Sequence, residues 1–401
     1  MKKLLLTFSA AAILFGCTGE SKKEKIETKF SEIFDSVKEE FAPDRRSKTF
    51  EAKLEVSDKG DTIILRGSTT ETQAKETLLA RLTESGIVAL DSMNILPHPA
   101  LGDKIFGVTN QSAINFRYSP NYSSESATQT IMGAPLQILE KRGGWTRAVT
   151  PEGYIAWVSS GSIAYMNELQ FNEWKSAKKI IITTHYTLFR DGATDRANVV
   201  ADGIMGNIVK FVASAGSYIK VELPDGREAF VPAAHTADFS GWLASRNPTA
   251  ENILSTAKQF VGFPYMWGGT SIKAMDCSGF TKTVYFLNGV ILERDASQQA
   301  KTGEDVEITE DFGNLLPGDL LFFGSKATED KPERVTHVGI HIAKGEFIHS
   351  ATSVRINSLI PDADNYYEGS KRLVRVRRIL TMIDKDPDII SVNKHPWYVA
   401  N

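Results

Sequence analysis

The sequence predicts an α+β protein of several domains, and three observations lead to this prediction. At 401 residues the chain is longer than one ordinary hydrophobic core supports. A block of short strand patterns occurs twice at a constant offset, between an amphipathic helix on one side and a helix followed by strands on the other. The 42% hydrophobic and 24% charged residues are typical of a globular protein.

The first residues have the pattern of an export signal. Lys2 and Lys3 precede an apolar run over residues 4–15, which is too short to span a bilayer. The run leads into Leu14-Phe15-Gly16-Cys17, which resembles the lipobox of bacterial lipoproteins. This resemblance implies a lipid anchor on Cys17 and a cell-envelope location, in the periplasm or at the outer membrane. An ordinary secretory signal with an incidental cysteine is the alternative.

Cysteine content and charge narrow the chemistry. The two cysteines are Cys17 and Cys277. If Cys17 carries lipid, Cys277 is a lone thiol in an exported protein, which favours a reactive group or an intermolecular link. A disulfide between the two is the alternative. The net charge of −3 gives little support for nucleic-acid binding. The alternation of basic and apolar residues over 371–378 favours an edge strand with one solvated face. We expect no nucleic-acid partner and no cofactor.

Periodicity and turn signals divide the chain into segments. Helical spacing over 26–41 and 71–85, with strand patterns at 50–56, 62–65 and 87–91, predicts a small α+β module. We assign residues 1–16 to the signal peptide, 17–30 to a tether, 31–104 to this module, 105–166 and 177–246 to the two repeated units, 247–384 to a catalytic domain and 385–401 to a C-terminal tail.

The repeated units are related by a fixed offset. Phe116-Arg117 recurs as Phe189-Arg190, and Ile131-Met132-Gly133 recurs as Ile204-Met205-Gly206, in both cases 73 residues later. Their strand and glycine-turn patterns predict small β-barrels. The sequence around Gly144-Trp145 and Gly153–Val158 resembles that of bacterial SH3-like domains. This resemblance implies modules that hold cell-wall peptides or border an active site, and simple spacers are the alternative.

Cys277 is predicted to begin a helix. Asp276 is a good N-cap, and apolar residues continue at helical spacing up to Leu287. The helix N-terminus stabilises a thiolate, so we expect the pKa of Cys277 to lie below its usual value. An inert buried cysteine is the alternative.

Histidines follow on two predicted strands. The alternation over 336–342 places His337 and His341 on one face. Residues 343–345 can form a three-residue hairpin loop with Gly345 in the left-handed conformation. The returning strand then places His349 on the face that carries His337.

The predicted register brings His337 and His349 within reach, because diagonal neighbours on paired strands lie about 7–8 Å apart. His349 would orient His337, which would deprotonate Cys277. His341 lies further along the hairpin, and we interpret it as peripheral. Two alternatives remain: core histidines with satisfied hydrogen bonds, or a metal site formed by these three histidines with Cys277.

Five motifs in one order resemble the NlpC/P60 family of bacterial cell-wall cysteine peptidases. They are Pro264-Tyr265-Met266-Trp267-Gly268-Gly269, Asp276-Cys277-Ser278-Gly279-Phe280, Leu316-Pro317-Gly318-Asp319-Leu320, Thr336-His337-Val338-Gly339-Ile340 and Phe347-Ile348-His349-Ser350. The resemblance implies a papain-like catalytic fold and a triad of Cys277, His337 and His349. It also places the hydroxyl of Tyr265 beside the nucleophile as a possible oxyanion donor.

The domain order further resembles the γ-D-glutamyl-L-diamino acid endopeptidases of this family, which require a free N-terminal L-Ala. That resemblance implies that Asp276, Ser297 and Glu125 bind the substrate ammonium group and that Ser278 contributes to the substrate site. Ser297 lies in Arg294-Asp295-Ala296-Ser297-Gln298-Gln299.

The expected substrate is therefore a murein peptide that begins L-Ala-γ-D-Glu and continues with a diamino acid. We expect a monomer attached to a membrane through its N-terminal lipid, with no bound metal. Two alternatives remain: an endopeptidase or amidase that acts on intact peptidoglycan, and a wall-binding lipoprotein with a vestigial site.

Overall fold

The computed structural model describes residues 21–59 and 61–400. They form two compact units, which divide between Ile95 and Leu96. The signal-peptide residues and Cys17 lie outside the described residues, so the lipid anchor and the cell-envelope location stay predictions. Within the described ranges, no helix is both long enough and apolar enough to cross a bilayer.

The first unit is the small α+β module. Its elements are α1 (Lys22–Phe41), β1 (Phe50–Val56), β2 (Ile63–Thr69), α2 (Thr72–Glu84) and β3 (Leu90–Ile95). Strand β2 pairs antiparallel with β1 and parallel with β3, and both helices contribute residues such as Val37 and Leu78 to the core. The assignment of residues 22–30 to a tether is wrong, because Ser21 and Glu24 form a capping box that begins α1 at Lys22.

The two repeated units have the same strand order, which confirms the duplication. The first contains β4 (Phe106–Thr109), β5 (Ala113–Arg117), β6 (Ser126–Ile131), β7 (Pro135–Arg142), β8 (Trp145–Val149), β9 (Ile155–Ser159), β10 (Ile163–Met166) and α3 (Glu168–Ser176). The second contains β11 (Lys179–Ile182), β12 (Tyr186–Arg190), β13 (Val199–Ile204), β14 (Ile208–Ala215), β15 (Tyr218–Glu222), β16 (Glu228–Pro232), β17 (Thr236–Asp238) and α4 (Phe239–Ala244). Each strand of the second unit begins 73 residues after its counterpart.

The remaining elements include a six-stranded antiparallel sheet of order β21-β26-β22-β23-β24-β25. They are α5 (Ala250–Lys258), β18 (Thr270–Ser271), β19 (Ala274–Met275), α6 (Cys277–Leu287), β20 (Val290–Ile291), α7 (Ala296–Gln299), β21 (Glu304–Asp305), β22 (Leu320–Ser325), β23 (Arg334–Ala343), β24 (Glu346–Ser350), β25 (Val354–Ser358), β26 (Leu373–Arg378) and β27 (Ile390–Ser391). Phe280 and Val284 of α6 share one core with Leu320 and Ile340 of the sheet. This packing fixes the start of α6 against β23.

Three local expectations differ from the structure. The β23–β24 loop has two residues, because Ala343 pairs with Glu346, and Lys344 joins Gly345 at positive φ. Strand β26 is not an edge strand, since β21 and β22 pair with its two sides. The residues assigned to a C-terminal tail are folded, because β27 pairs with β20 and Tyr398 is buried.

Candidate active site

Cys277 is the first residue of α6, as predicted. The carboxylate of Asp276 caps the helix by accepting a 2.7 Å hydrogen bond from the amide of Gly279. Gly279 is required by packing, since a Cβ atom there would lie 1.9 Å from the carbonyl oxygen of Gly269. The free thiol of Cys277 is therefore held at a rigid helix start, with 7% of the residue exposed.

The two predicted partner histidines are in contact. His337 Nε2 and His349 Nδ1 are 2.6 Å apart, which confirms the register predicted for β23 and β24. Gly339 leaves the room for this contact, since a Cβ atom there would lie 3.1 Å from the Cβ atom of His349. His341 does not join them; its Nδ1 is 3.0 Å from the carbonyl oxygen of Leu316.

Asn357 extends this pair of histidines, and sequence analysis missed it. Its Oδ1 is 2.9 Å from His349 Nε2, and its Nδ2 donates a 2.7 Å hydrogen bond to the carbonyl oxygen of Asn365. Strand β25 places Asn357 opposite Phe347, diagonal to His349. In the sequence, Asn357 is only one polar residue in the alternating pattern of a third strand. That pattern does not distinguish a buried asparagine from a solvated one.

The expectation of a low thiol pKa is wrong for the protein without substrate. Burial, together with the negative charge of Asp276, raises the pKa of Cys277 to about 12. The amides of Val338 and Ser278 and the charge of Arg294 act in the opposite direction but do not outweigh the loss of water. Cys277 is therefore a protonated thiol in the unliganded protein.

The histidines are neutral at the same time. Burial lowers the pKa of His337 to about 3 and that of His349 to about 4. The nearby positive charges of Arg355 and Arg372 also disfavour the imidazolium form of His337. Burial and the charges of Cys277 and Asp276 raise the pKa of Tyr265, which stays a phenol able to donate a hydrogen bond. The unliganded protein thus contains a neutral thiol at Cys277 and a neutral imidazole at His337, on the strand whose Val338 amide hydrogen-bonds to that sulfur.

These pKa shifts predict activity that persists in mild acid. Because the pKa of His337 is lowered from 6.5 to about 3, the imidazole stays unprotonated, and kcat/KM should remain level from pH 7 down to about pH 5. The measurement is a pH profile of peptide hydrolysis. An acidic limb centred near the ordinary histidine pKa would contradict the prediction.

A matching unfolding series controls for acid denaturation. The unfolded chain binds protons on these histidines at higher pH than the folded chain does. Stability therefore falls as the pH drops below the ordinary value of 6.5. Rates are to be compared only at pH values where the thermal unfolding midpoint lies above the assay temperature.

Asp276 belongs to a buried network that sequence analysis did not predict. Arg294 Nη2 lies 2.6 Å from Asp276 Oδ2, and Arg294 Nη1 donates to both Asp276 Oδ1 and Ser278 Oγ, at 3.2 and 3.0 Å. The amide of Gly268 donates to Asp276 at 3.0 Å. These contacts hold the carboxylate of Asp276 at the start of α6, and its expected contact with a substrate ammonium group stays a prediction.

The first repeated unit forms one wall of the site. Arg294 Nε donates a 2.8 Å hydrogen bond to Thr128 Oγ1 in β6. Gln129, the next residue of β6, accepts from the amide of Thr270 at 3.0 Å, and its carbonyl oxygen accepts from the Thr270 hydroxyl at 2.9 Å. Strand β6 is thus attached to the segment that precedes Cys277.

A cleft of about 390 Å³ lies between this wall and the catalytic elements. It is lined by Tyr118, Ala127, Trp267, Gly268, Asp276, Cys277, Ser278, Arg294, Asp295, Ala296, Ser297, Arg334, Val335 and Thr336. The predicted residues Ser278 and Ser297 therefore lie in the cleft. Glu125 is exposed and is absent from this lining, so its predicted contact with an ammonium group has no support from the geometry.

Asp295 is a further polar residue of the cleft that was missed, together with the buried Tyr154 behind it. Asp295 lines the cleft with 25% of its side chain exposed, and Tyr154 donates a 3.3 Å hydrogen bond to its Oδ2. Tyr154 lies in the segment Gly153–Val158 that resembles an SH3-like domain, but nothing in the sequence indicates that its phenol group contacts Asp295. Over residues 21–59 and 61–400, no group of three or more His, Cys, Asp or Glu side chains is arranged to hold a metal ion.

Comparison with known proteins agrees with this geometry. The profile of the NlpC/P60 family matches residues 262–378, and that of the bacterial dipeptidyl-peptidase SH3 domain matches residues 116–163. The probable endopeptidase NlpC of Escherichia coli K12 is 35% identical over 119 residues, which cover 29% of this chain and 70% of that protein. The chain belongs to the NlpC/P60 family of cell-wall cysteine peptidases.

Two further proteins match a larger part of the chain. The gamma-D-glutamyl-L-lysine dipeptidyl-peptidase of Bacillus cereus ATCC 10987 is 28% identical over 257 residues, 61% of this chain and 74% of that protein. The crystal structure of an NlpC/P60 family protein from Bacillus cereus ATCC 10987 superposes with a TM-score of 0.56 at 21% identity, covering 68% of this chain and 99% of that one. The latter likeness establishes the NlpC/P60 fold, and the SH3 profile identifies the first repeated unit as an SH3-like domain.

Proposed function

We propose that this peptidase hydrolyses the γ-D-glutamyl–diamino acid bond of murein peptides whose N-terminal L-Ala is free. The observation that carries the proposal is a cleft that contains the Cys277 thiol and a partly exposed carboxylate, Asp295, with an SH3-like barrel as one wall. The name of the Bacillus cereus relative, a gamma-D-glutamyl-L-lysine dipeptidyl-peptidase, describes the same bond and release of an N-terminal dipeptide.

In the proposed reaction, Cys277, His337 and Tyr265 each have a distinct role. Cys277 Sγ attacks the γ-carbonyl carbon while its proton moves to His337, and the resulting oxyanion accepts a hydrogen bond from the Tyr265 hydroxyl. His337 then gives the proton to the leaving amine as the C–N bond breaks, which leaves a thioester. Water, deprotonated by His337, hydrolyses the thioester and restores the thiol.

The free-amine requirement is assigned chiefly to Asp295. A carboxylate that is a quarter exposed in the cleft can pair with an ammonium ion, and its contact with Tyr154 fixes its orientation. Asp276 and Asp295 both line the cleft and both pair with the guanidinium of Arg294, at 2.6 and 3.8 Å, so Asp276 is a second carboxylate that can contribute to binding the ammonium ion. Ser297 lines the same cleft and is the third residue of this proposed contact with the substrate.

We expect the enzyme to cleave L-Ala-γ-D-Glu-diaminopimelate and to reject the same peptide acetylated at L-Ala. Acetylation removes the positive charge, so the peptide still displaces water from the cleft but no longer forms a charge-assisted contact with its carboxylates, a cost that corresponds to about tenfold or more in kcat/KM. The measurement is kcat/KM for both peptides with the full chain. Asp295→Asn should reduce the difference between the two peptides.

Asp305→Asn is the matched control, because this exposed carboxylate on β21 is paired with Arg377 at 3.5 Å and is not part of the cleft lining. Equal cleavage of both peptides would overturn the free-amine model and favour an enzyme that acts on intact peptidoglycan, where the L-Ala nitrogen is acylated. Cleavage of neither peptide would favour a wall-binding protein without this activity.

A further inference from the structure

We propose that Asn357 is a positioning residue that fixes which nitrogen of His337 faces the Cys277 thiol. The proposal rests on the proposed function, because it concerns the base that activates this nucleophile. It follows from three consecutive hydrogen-bond contacts, between His337 and His349, between His349 and Asn357, and between Asn357 and the backbone of Asn365, because the direction of the last one is fixed by its carbonyl acceptor.

The orientation of the Asn357 side chain is determined by the backbone. The carbonyl oxygen of Asn365 can only accept hydrogen bonds, and it lies 2.7 Å from the Asn357 amide nitrogen. The amide of Ser358 donates to the same oxygen at 3.0 Å, which holds the oxygen in place. The Asn357 Oδ1 atom must therefore point toward His349.

This orientation selects the tautomer of both histidines. Because Asn357 Oδ1 only accepts, His349 Nε2 must carry a hydrogen, and the other nitrogen of the neutral ring then has a lone pair. That lone pair accepts the hydrogen on His337 Nε2 across 2.6 Å. The remaining nitrogen of His337, Nδ1, is left with a lone pair that can accept a proton from the thiol.

The opposite tautomers would disable the base. If His349 carried its hydrogen on Nδ1, His337 Nε2 would have to accept, and His337 Nδ1 would present a hydrogen to the thiol. His349 is fully buried, so solvent does not supply an alternative acceptor for its Nε2. Without the Asn357 acceptor the two arrangements become comparable in energy, and only one of them can deprotonate Cys277.

The test uses three variants of the full chain. Asn357→Leu removes the acceptor and should lower kcat by about tenfold or more with little change in KM. Asn357→Asp keeps an acceptor for His349 but loses the hydrogen bond to the Asn365 carbonyl oxygen. It should therefore lose stability yet retain most of kcat. Its negative charge favours the imidazolium forms, so the acidic limb of its pH profile should move to higher pH.

Asn207→Leu is the matched control, since Asn207 is a buried asparagine of the second repeated unit whose side chain hydrogen-bonds to the backbone of Ile204 and Ser112 and does not line the cleft. It should lower stability without lowering kcat. An Asn357→Leu enzyme with wild-type kcat, or an Asn357→Asp enzyme as slow as the leucine variant, would overturn the proposal.

A spectroscopic measurement separates failure of this proposal from failure of the proposed function. In the Cys277→Ala protein labelled with ¹⁵N-histidine, nitrogen chemical shifts report which ring nitrogen carries the hydrogen. We expect an unprotonated Nδ1 on His337, lost in the Asn357→Leu background. A protonated Nδ1 with Asn357 intact would contradict the proposal whichever peptide the enzyme cleaves.

Discussion

Replacing Cys277 with alanine is expected to abolish peptide hydrolysis while leaving the protein folded. The substitution removes a single buried sulfur atom, and the small cavity costs about 1 kcal/mol. The Asp276 cap of α6 uses the backbone of Gly279 and is unaffected. The measurements are kcat on L-Ala-γ-D-Glu-diaminopimelate and the thermal unfolding midpoint.

Cys277→Ser is the matched variant, because it keeps the size of the side chain and replaces the sulfur with a poorer nucleophile. It should fold normally and retain a small fraction of the activity, since an alcohol is harder to deprotonate by neutral His337. Loss of folding in both variants would mean that Cys277 is a structural cysteine. Wild-type turnover in either variant would exclude Cys277 as the nucleophile.

Features that depend on neighbours in sequence were predictable. The start of α6 follows from the cap at Asp276, and the shared face of His337 and His349 follows from strand alternation across a short hairpin. The duplication was predicted from the constant offset of 73 residues, and the two seven-stranded sheets have the same strand order. The hairpin loop was predicted one residue too long, because Lys344 adopts a positive φ that β-turn statistics reserve mainly for glycine and asparagine.

Features that depend on tertiary contacts were not predictable in this way. The pairing of Arg294 with Asp276 joins residues 18 positions apart and also requires Thr128 of the first barrel, 166 positions away. The pKa of Cys277 was predicted in the wrong direction, because local sequence reveals the helix terminus but not the burial that removes water from the thiol. The position of Asn357 depends on a third strand, whose pairing with β24 no motif encodes.

Arg294 connects these features, and its replacement by methionine is expected to have the largest structural effect. The side chain is 1% exposed and pairs with Asp276, whose side chain is 8% exposed. Removing the guanidinium leaves a buried carboxylate without its cation, which costs about 3–5 kcal/mol. It also removes the hydrogen bond to Thr128 that ties the barrel wall to the cleft.

The same substitution should suppress catalysis beyond its effect on folding. Arg294 lowers the pKa of Cys277, whereas Asp276 raises it, so an unpaired Asp276 makes the thiol still harder to ionise. We expect a loss of kcat in the fraction of the protein that remains folded, measured well below the unfolding midpoint. The urea midpoint and kcat are to be determined on the same preparation.

A double variant identifies the cause of the destabilisation. If the unpaired charge is responsible, Asp276→Asn combined with Arg294→Met should be more stable than Arg294→Met alone, because the remaining buried group is neutral. Arg246→Met is the control for loss of an arginine side chain, since Arg246 donates to the backbone carbonyls of Trp242 and Leu287. A single Arg294→Met variant as stable as the wild type would show that the ion pair does not hold the cap and the barrel wall together.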